Sequence, residues 1–231
     1  TGNTANLNSQ TGIYLESSSN NSTVSNNTTN SNSFHGIQIS AGTGNVIRNN
    51  TTNSNTYYGI YLEVGSTNNQ IRENTVKTNV QTGVRIKNSD SNVVHQNEVS
   101  GNDTGVFFEG TSSGNVVTKN NLNANIVNNI YNQGGAVQTL TRNWWGTTDE
   151  VTISAKFNDA VSSFRPYLLA AVDTAAGADT TAPDKAIGVS LDTSVKGKIT
   201  VEWTIPALNE ETNGGSVGFN GLNIYRLKDL V

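Results

Sequence analysis

Asparagine recurs through this chain on a ruler of 23 or 24 residues, and a spacing that short excludes most folds. Asn3, Asn27, Asn50, Asn74, Asn97, Asn120 and Asn143 are separated by 24, 23, 24, 23, 23 and 23 positions. A second series, Asn8, Asn32, Asn55, Asn79, Asn102 and Asn125, lies five residues further on. A third runs Asn45, Asn69, Asn92 and Asn115, with Ser22 and Gln138 at its ends. Gly12, Gly36, Gly59, Gly83 and Gly105 keep the same phase, with Asn129 in the sixth place. Periods of this length are the mark of repeat architectures.

Apolar residues are locked to the ruler. Ile13, Ile37, Ile60, Val84, Val106 and Ile130 follow the glycine positions, and Leu15, Ile39, Leu62, Ile86 and Phe108 come two later. Val24, Ile47, Ile71, Val94, Val117 and Leu140 stand three before the first asparagine series. Ala5, Thr29, Thr52, Val76, Val99 and Leu122 stand two after it. The local period is two, which predicts about three short strands per repeat. Repeats too short for a helical crossover leave a solenoid in which each repeat is one coil stacked in parallel on the next.

Coils stacked ~4.8 Å apart bring equivalent asparagines above one another, so their side-chain amides can hydrogen-bond along the stack. Asparagine also tolerates the left-handed backbone of tight corners. The three series are therefore expected to be structural. Sequons occur at Asn20, Asn50 and Asn102; the last two are ladder members, which leaves Asn20 as the better acceptor.

Composition narrows the classes of function. Of 36 asparagines, 31 precede residue 144, while hydrophobic residues are 34% and charged residues 14% of 231. That excludes a helical bundle. A net charge of −4 without a Lys/Arg cluster speaks against nucleic acid. No apolar run approaches a membrane span. Without cysteine there is no disulfide framework or zinc-thiolate site.

The repeat Asn-x-Ile-x-x-Asn-x-x-x-x-Asn followed by Gly-Ile-x-Leu, clearest in NVIRNNTTNSNTYYGIYL from Asn45 to Leu62, resembles the right-handed parallel β-helix repeat of NosD-type and carbohydrate-binding or sugar-hydrolase proteins. The resemblance covers residues 3 to about 146. It implies an all-β, right-handed parallel β-helix of about six coils over residues 1–146. It leaves function open, since that family includes lyases, epimerases, copper-site assembly factors, adhesins and surface-layer proteins.

Trp144 and Trp145 close the last coil and are expected to cover the open end of the core. Thr147-x-x-Glu150 reads as a capping box, and Ile153, Phe157, Val161 and Phe164 follow at helical spacing up to Pro166. Residues 147–172 are thus expected to be a C-terminal cap of helix plus extended segment. The NWWGTTD run resembles the endings of β-helix domains in bacterial and archaeal surface proteins. Residues 173–183, DTAAGADTTAP, read as a linker. In 184–231, Ile187-Val189-Leu191, Ile199-Val201-Trp203 and Leu222-Ile224 alternate as strands. With Trp203-x-x-Pro206 and the ending NIYR, they resemble the first half of a fibronectin type III-like β-sandwich. The half-sandwich, the uncapped start and a first residue other than Met suggest a piece of something longer, or a unit that stacks end to end.

Residues between the inward pairs face outward. After the glycines the first outward column is Tyr14, Gln38, Tyr61, Arg85, Phe107 and Tyr131; the second is Glu16, Ser40, Glu63, Lys87, Glu109 and Gln133. His35, Tyr57 and Tyr58 border the same face. Rings with carboxylates beside them suit the apolar faces and hydroxyls of a glycan. A solvated sheet of good β-formers would carry the same column. The candidate glycan or partner site is Tyr14, His35, Tyr58, Tyr61, Glu63, Arg85, Phe107, Glu109 and Tyr131.

No catalytic set emerges. β-Helix lyases and epimerases need a base, an acid and a cationic neutraliser, and sugar hydrolases need paired carboxylates. Glu16, Glu63 and Glu109 recur every second coil, and nothing resembles the Asp-Pro-His-Asp motif of alginate epimerases. Arg48, Arg72 and His95 form a further column, read as a solvated edge or a place for an acidic sugar. His35 and His95 are too far apart in coil number to share a metal. No cofactor is expected, and a structural calcium ion has no support.

Two functions remain. One is a non-enzymatic structural or adhesive module of a secreted or cell-surface protein. It would self-associate into a filament or surface layer, or continue into further domains of the same protein. The alternative is a carbohydrate-binding or carbohydrate-active (lyase, epimerase or hydrolase-like) β-helix domain that uses the aromatic face.

Overall fold

The structure, a computed structural model, describes residues 1–172 and the backbone of two strands, Ile187–Asp192 and Thr200–Thr204. The chain divides into two units, 1–180 and 181–231.

The first unit is a parallel β-helix of about six coils. Its first sheet has seven strands in the order Ile13–Leu15, Ile37–Ser40, Tyr58–Glu63, Thr82–Lys87, Thr104–Glu109, Asn128–Asn132 and Phe157–Asn158. A second sheet stacks Thr23–Ser25, Val46–Arg48, Gln70–Arg72, Val93–His95 and Val116–Thr118. A third stacks Thr75–Lys77, Glu98–Ser100 and Asn121–Asn123, extended by bridges through Thr51, Thr28 and Thr4 on one side and to Trp144 on the other. Every pairing in these sheets is parallel, and the registers join the repeat-equivalent residues, as in Ile37 with Ile60 and Val84 with Val106. The inward apolar columns form one continuous buried core from Val24 to Ile153.

The ladders are built as amide relays. The backbone N–H and the Nδ2 of Asn50 both donate to Oδ1 of Asn74, at 2.9 and 3.0 Å, and Asn74 repeats the arrangement onto Asn97. A second Nδ2 hydrogen goes to a carbonyl of the preceding coil, Ile47 in the case of Asn74. At the ends, Ser22 N–H donates to Asn45 and the Asn115 amide donates to Gln138 Oε1. Asn129, which replaces the sixth glycine, accepts from Asn125 Nδ2 and closes the second ladder. A fourth relay, in which Ser66 and Ser89 N–H donate to the hydroxyls of Ser89 and Ser112, also has a 23-residue step that the sequence reading passed over.

The ladder asparagines do not themselves adopt the left-handed conformation. The residue before each one does: Gly2, Asn26, Asn49, Glu73, Gln96, Lys119 and Arg142 in the first series, and Leu7, Ser31, Ser54, Thr78, Gly101 and Ala124 in the second. Each such non-glycine residue costs about 1–2 kcal/mol, which the buried relay beside it offsets. The glycine column has a different cause. A Cβ on Gly59 would lie 2.4 Å from Cγ1 of Val76 and 2.8 Å from the Gly83 carbonyl oxygen, so the position demands a missing side chain rather than an unusual φ.

The cap differs from the expectation. The helix is only Glu150–Ala155, and its N-cap is Asp149, whose carboxylate accepts from Thr152 N–H, rather than Thr147. Residues beyond it leave the helix because Phe157–Asn158 adds the seventh strand to the first sheet, with Lys156 C=O accepting from Asn129 N–H. Trp145 is 3% exposed and meets Phe157 edge-on at 5.8 Å; Phe164 and Tyr167 continue the lid. Trp144 is half-buried and extends the third sheet instead.

In the second unit, Ile187–Asp192 and Thr200–Thr204 pair antiparallel with an irregularity between Ile187 and Ser190. The 173–183 linker, Leu222-Ile224 and the remaining elements of the fibronectin-like reading lie outside the described residues.

Candidate functional site

Pairing on the first sheet places Tyr14, Gln38, Tyr61, Arg85, Phe107 and Tyr131 in one outward column, one coil apart. Glu63, Lys87 and Glu109 stand two residues on, and Tyr58 three residues before Tyr61. His35 comes in from the turn before Ile37–Ser40. The sequence-predicted residues are thus brought to one face, but not as an open row of rings.

Arg85 occupies the gap in the column between Tyr61 and Phe107. Its guanidinium carbon lies 4.6, 5.7 and 5.1 Å from the ring centroids of Tyr58, Tyr61 and Phe107. One nitrogen donates to the Tyr58 hydroxyl, another to Glu109, and Lys87 reaches the same carboxylate at 3.3 Å. Phe107 in turn stacks on Tyr131, 4.7 Å between centroids and 7° between planes.

On the other side His35 stacks on Tyr58 and meets Tyr61 at 5.0 Å. Phe34 and Tyr57 pack beside it, 5.2 Å apart. His35, Tyr58 and Tyr61 are 7–8% exposed. This corrects the expectation that they project into solvent: aromatic neighbours on adjacent coils close over one another and over the guanidinium. The rings that remain open are Tyr14, at 49% exposure, and Phe34, at 41%. Tyr57, Phe107 and Tyr131 are half-buried.

Electrostatics follow from that closure. Burial, with the Arg85 charge, lowers His35 to about 4, so it is neutral near pH 7. Burial, then a hydrogen bond to Glu63 and the charges of Glu63 and Glu109, pushes the Tyr61 phenol upward. Burial would raise Glu109, but hydrogen bonds and charge from Arg85 and Lys87 outweigh it and hold the carboxyl below its ordinary value. Gln38 Nε2 donates to Glu63 at 2.7 Å and ties the second coil to the third. Two buried nitrogens in this cluster, His35 Nδ1 and Arg85 Nε, have no hydrogen-bond partner.

Gln38 and Lys87, absent from the predicted set, belong to the cluster; their positions in the outward columns were the available signal. Glu16 is exposed at the N-terminal margin. His35 and His95 lie on different sides of the β-helix, and among the described residues no three His, Asp or Glu side chains are grouped to hold a metal ion.

Comparison with known proteins places this arrangement in context. The chain is similar to the periplasmic alginate epimerase AlgG. A double-mutant crystal structure aligns with 21% identity and a TM-score of 0.56 over 59% of this chain and 36% of that one. The unsubstituted enzyme aligns with 19% identity and a TM-score of 0.52 over 73% and 49%. The chain therefore spans less than half of that enzyme, and the likeness is one of fold. No curated protein matches the sequence. The family described as "Periplasmic copper-binding protein (NosD)" matches residues 1–158, most of the chain and its whole β-helix. The chain belongs to the NosD family.

Proposed function

We propose that this protein is a carbohydrate-directed β-helix of the cell envelope, and that the outer face of its first sheet holds the glycan. The observation that carries the reading is Arg85, fixed by Glu109 among Tyr58, Tyr61 and Phe107 at the centre of an aromatic face. The guanidinium, closed over by those rings, fixes the face, and the open rings of Tyr14 and Phe34, three and two coils away, can stack on sugar faces. The AlgG likeness supports this reading over an adhesive or filament-forming module, because a periplasmic β-helix that acts on a polysaccharide has the same fold. The family's periplasmic description supports the location.

Binding is the form of this activity that the geometry favours. His35 is neutral but stacked against Tyr58 and almost wholly buried, so its ring is placed to stiffen the face rather than to reach a substrate proton. Copper, which the family description names, does not fit the residues. Cu(I) selects thiolate and thioether ligands and Cu(II) favours clustered imidazoles. This sequence has no Cys or Met and two histidines, which stand apart.

A panel of neutral and acidic polysaccharides in affinity electrophoresis tests the proposal. At least one should retard the protein, and Tyr14→Ala with Phe34→Ala should weaken that retardation about tenfold. Retardation by none of the panel, or binding indifferent to both ring removals, overturns it.

A further inference from the structure

We propose that the corner between the second and third sheets is a separate binding track for a linear acidic polysaccharide, laid along Arg48, Arg72, Lys119 and Arg142. Residues 1–172 contain nine Lys and Arg. Arg72, Lys77, Arg85, Lys87 and Arg165 pair with carboxylates, and Lys156 donates to the carbonyls of Asn125 and Ile126. The three that remain without a side-chain partner among the described residues are Arg48, Lys119 and Arg142, and all three stand on this corner.

The fold lines them up. Arg48, Arg72 and His95 are in register at the ends of successive strands. The next residue in each coil, Asn49, Glu73, Gln96, Lys119 and Arg142, turns the corner with positive φ. These corners are hydrogen-bonded coil to coil: Asn49 N–H donates to Arg72 C=O, Glu73 to His95, Gln96 to Lys119 and Lys119 to Arg142. The cations therefore sit on four of five successive coils, with the coil of His95 and Gln96 between Arg72 and Lys119, over roughly 19 Å at the coil spacing. Glu73, bound to Arg72, is the only carboxylate among them. His95 registers the local field: burial lowers its pKa, and Arg72 and Lys119 lower it further against Glu73 and Gln96.

A rigid edge of positive charge of that length suits an extended polymer that carries carboxylates or sulfates along its chain. Single-stranded nucleic acid would need a row of stacking rings along the cations; here His95 is one half-buried imidazole in the column, and Tyr167, beside Arg142, packs on Phe164. A membrane surface would need a broad exposed apolar flank; the outward valines on these strands, Val46, Val93 and Val116, are half-buried and interrupted by the exposed Gln70. The track lies on different sheets from the aromatic face, so the two readings stand or fall separately.

The test is binding of the full chain to polygalacturonate and to sulfated dextran in low salt. Unsubstituted dextran, a single-stranded oligonucleotide and anionic phosphatidylglycerol vesicles serve as comparisons. Binding to either acidic glycan should fade with added salt, weaken about tenfold in R48A/K119A/R142A and persist in the Tyr14/Phe34 variant. Which of the two glycans binds more tightly distinguishes carboxylate from sulfate recognition. No binding to either, binding unaltered by the triple substitution, or equal or tighter binding to the oligonucleotide or vesicles overturns the proposal. An unchanged melting temperature of the triple variant confirms that a loss reflects the charges and not the fold.

Discussion

His35 lies flat against Tyr58, with 4.6 Å between ring centroids and 7° between planes, and it does so as a neutral imidazole. Protonation would put a cation beside the Arg85 guanidinium, which itself lies 4.6 Å from the Tyr58 ring. The contact is therefore conditional on pH.

The sign follows from linkage. His35 is lowered to about 4 from 6.5, so between those values the unfolded chain holds a proton that the folded protein does not. Stability from this group is complete above pH 6.5 and is lost as pH falls toward 4. After allowance for solvent screening the loss is about 1–2 kcal/mol. Urea unfolding at pH 7 and pH 4.5 should show a smaller acid penalty for His35→Gln than for the parent. His95 shifts in the same direction and is present in both proteins, so equal penalties would refute the assignment to His35.

Arg85 is held by an ion pair, a phenol and three rings, so its removal strands several partners. Arg85→Ala should cost about 2–3 kcal/mol at neutral pH. Arg85→Lys should recover less than half of that, because an ammonium cannot bridge Tyr58 and Glu109 as a planar fork does. A double-mutant cycle with Glu109→Gln should give a coupling near 1 kcal/mol; additive effects would mean the pair is incidental.

The ladders predict a steep gradient from the middle of the stack to its N-terminal edge. The Asn97 Nδ2 donates to Ile71, His95 and Asn120, and its Oδ1 accepts from the N–H and Nδ2 of Asn74. Asn97→Ala should cost about 3–5 kcal/mol by leaving buried donors and acceptors unmet. Asn8 is exposed and its side chain makes one bond, Nδ2 to Asn32 at 2.9 Å, so Asn8→Ala should cost about 1 kcal/mol or less. Equal costs in thermal unfolding would show that the ladders are not the source of stability.

The sequence disclosed the coil length, the three-sheet section, the inward columns and the outward register, because each depends only on a period that neighbouring repeats enforce. Contacts between side chains on adjacent coils were not disclosed. Tyr58 and Tyr61 were legible as outward-facing, yet whether an outward ring stays open depends on its neighbours above and below, here His35 and Arg85. The cap was misread for a similar reason. Phe157 falls at helical spacing after Ile153, but the free edge of Asn128–Asn132 offers a strand partner, and six residues of helix cannot outweigh it. The left-handed corners were expected at asparagine, since asparagine tolerates them best. They fall one residue earlier, because the ladder amide must point inward to meet its partner.

That inward column contains two groups that the fold does not satisfy. Thr29 and Thr52 are fully buried, and neither hydroxyl has a hydrogen-bond partner. The equivalent positions in the next two coils are Val76 and Val99, also fully buried, so the column already accommodates a valine shape. Thr29→Val and Thr52→Val each exchange an unmet hydroxyl for a methyl of similar size. Each should stabilise the protein by about 1 kcal/mol, with a melting temperature about 2–4 °C higher and the two gains adding within ~0.5 kcal/mol. Calorimetry on the two single variants and the double variant measures this directly. A drop in melting temperature would mean that bound water satisfies the hydroxyls, and that the N-terminal coils are wetter inside than the valine-lined coils that follow.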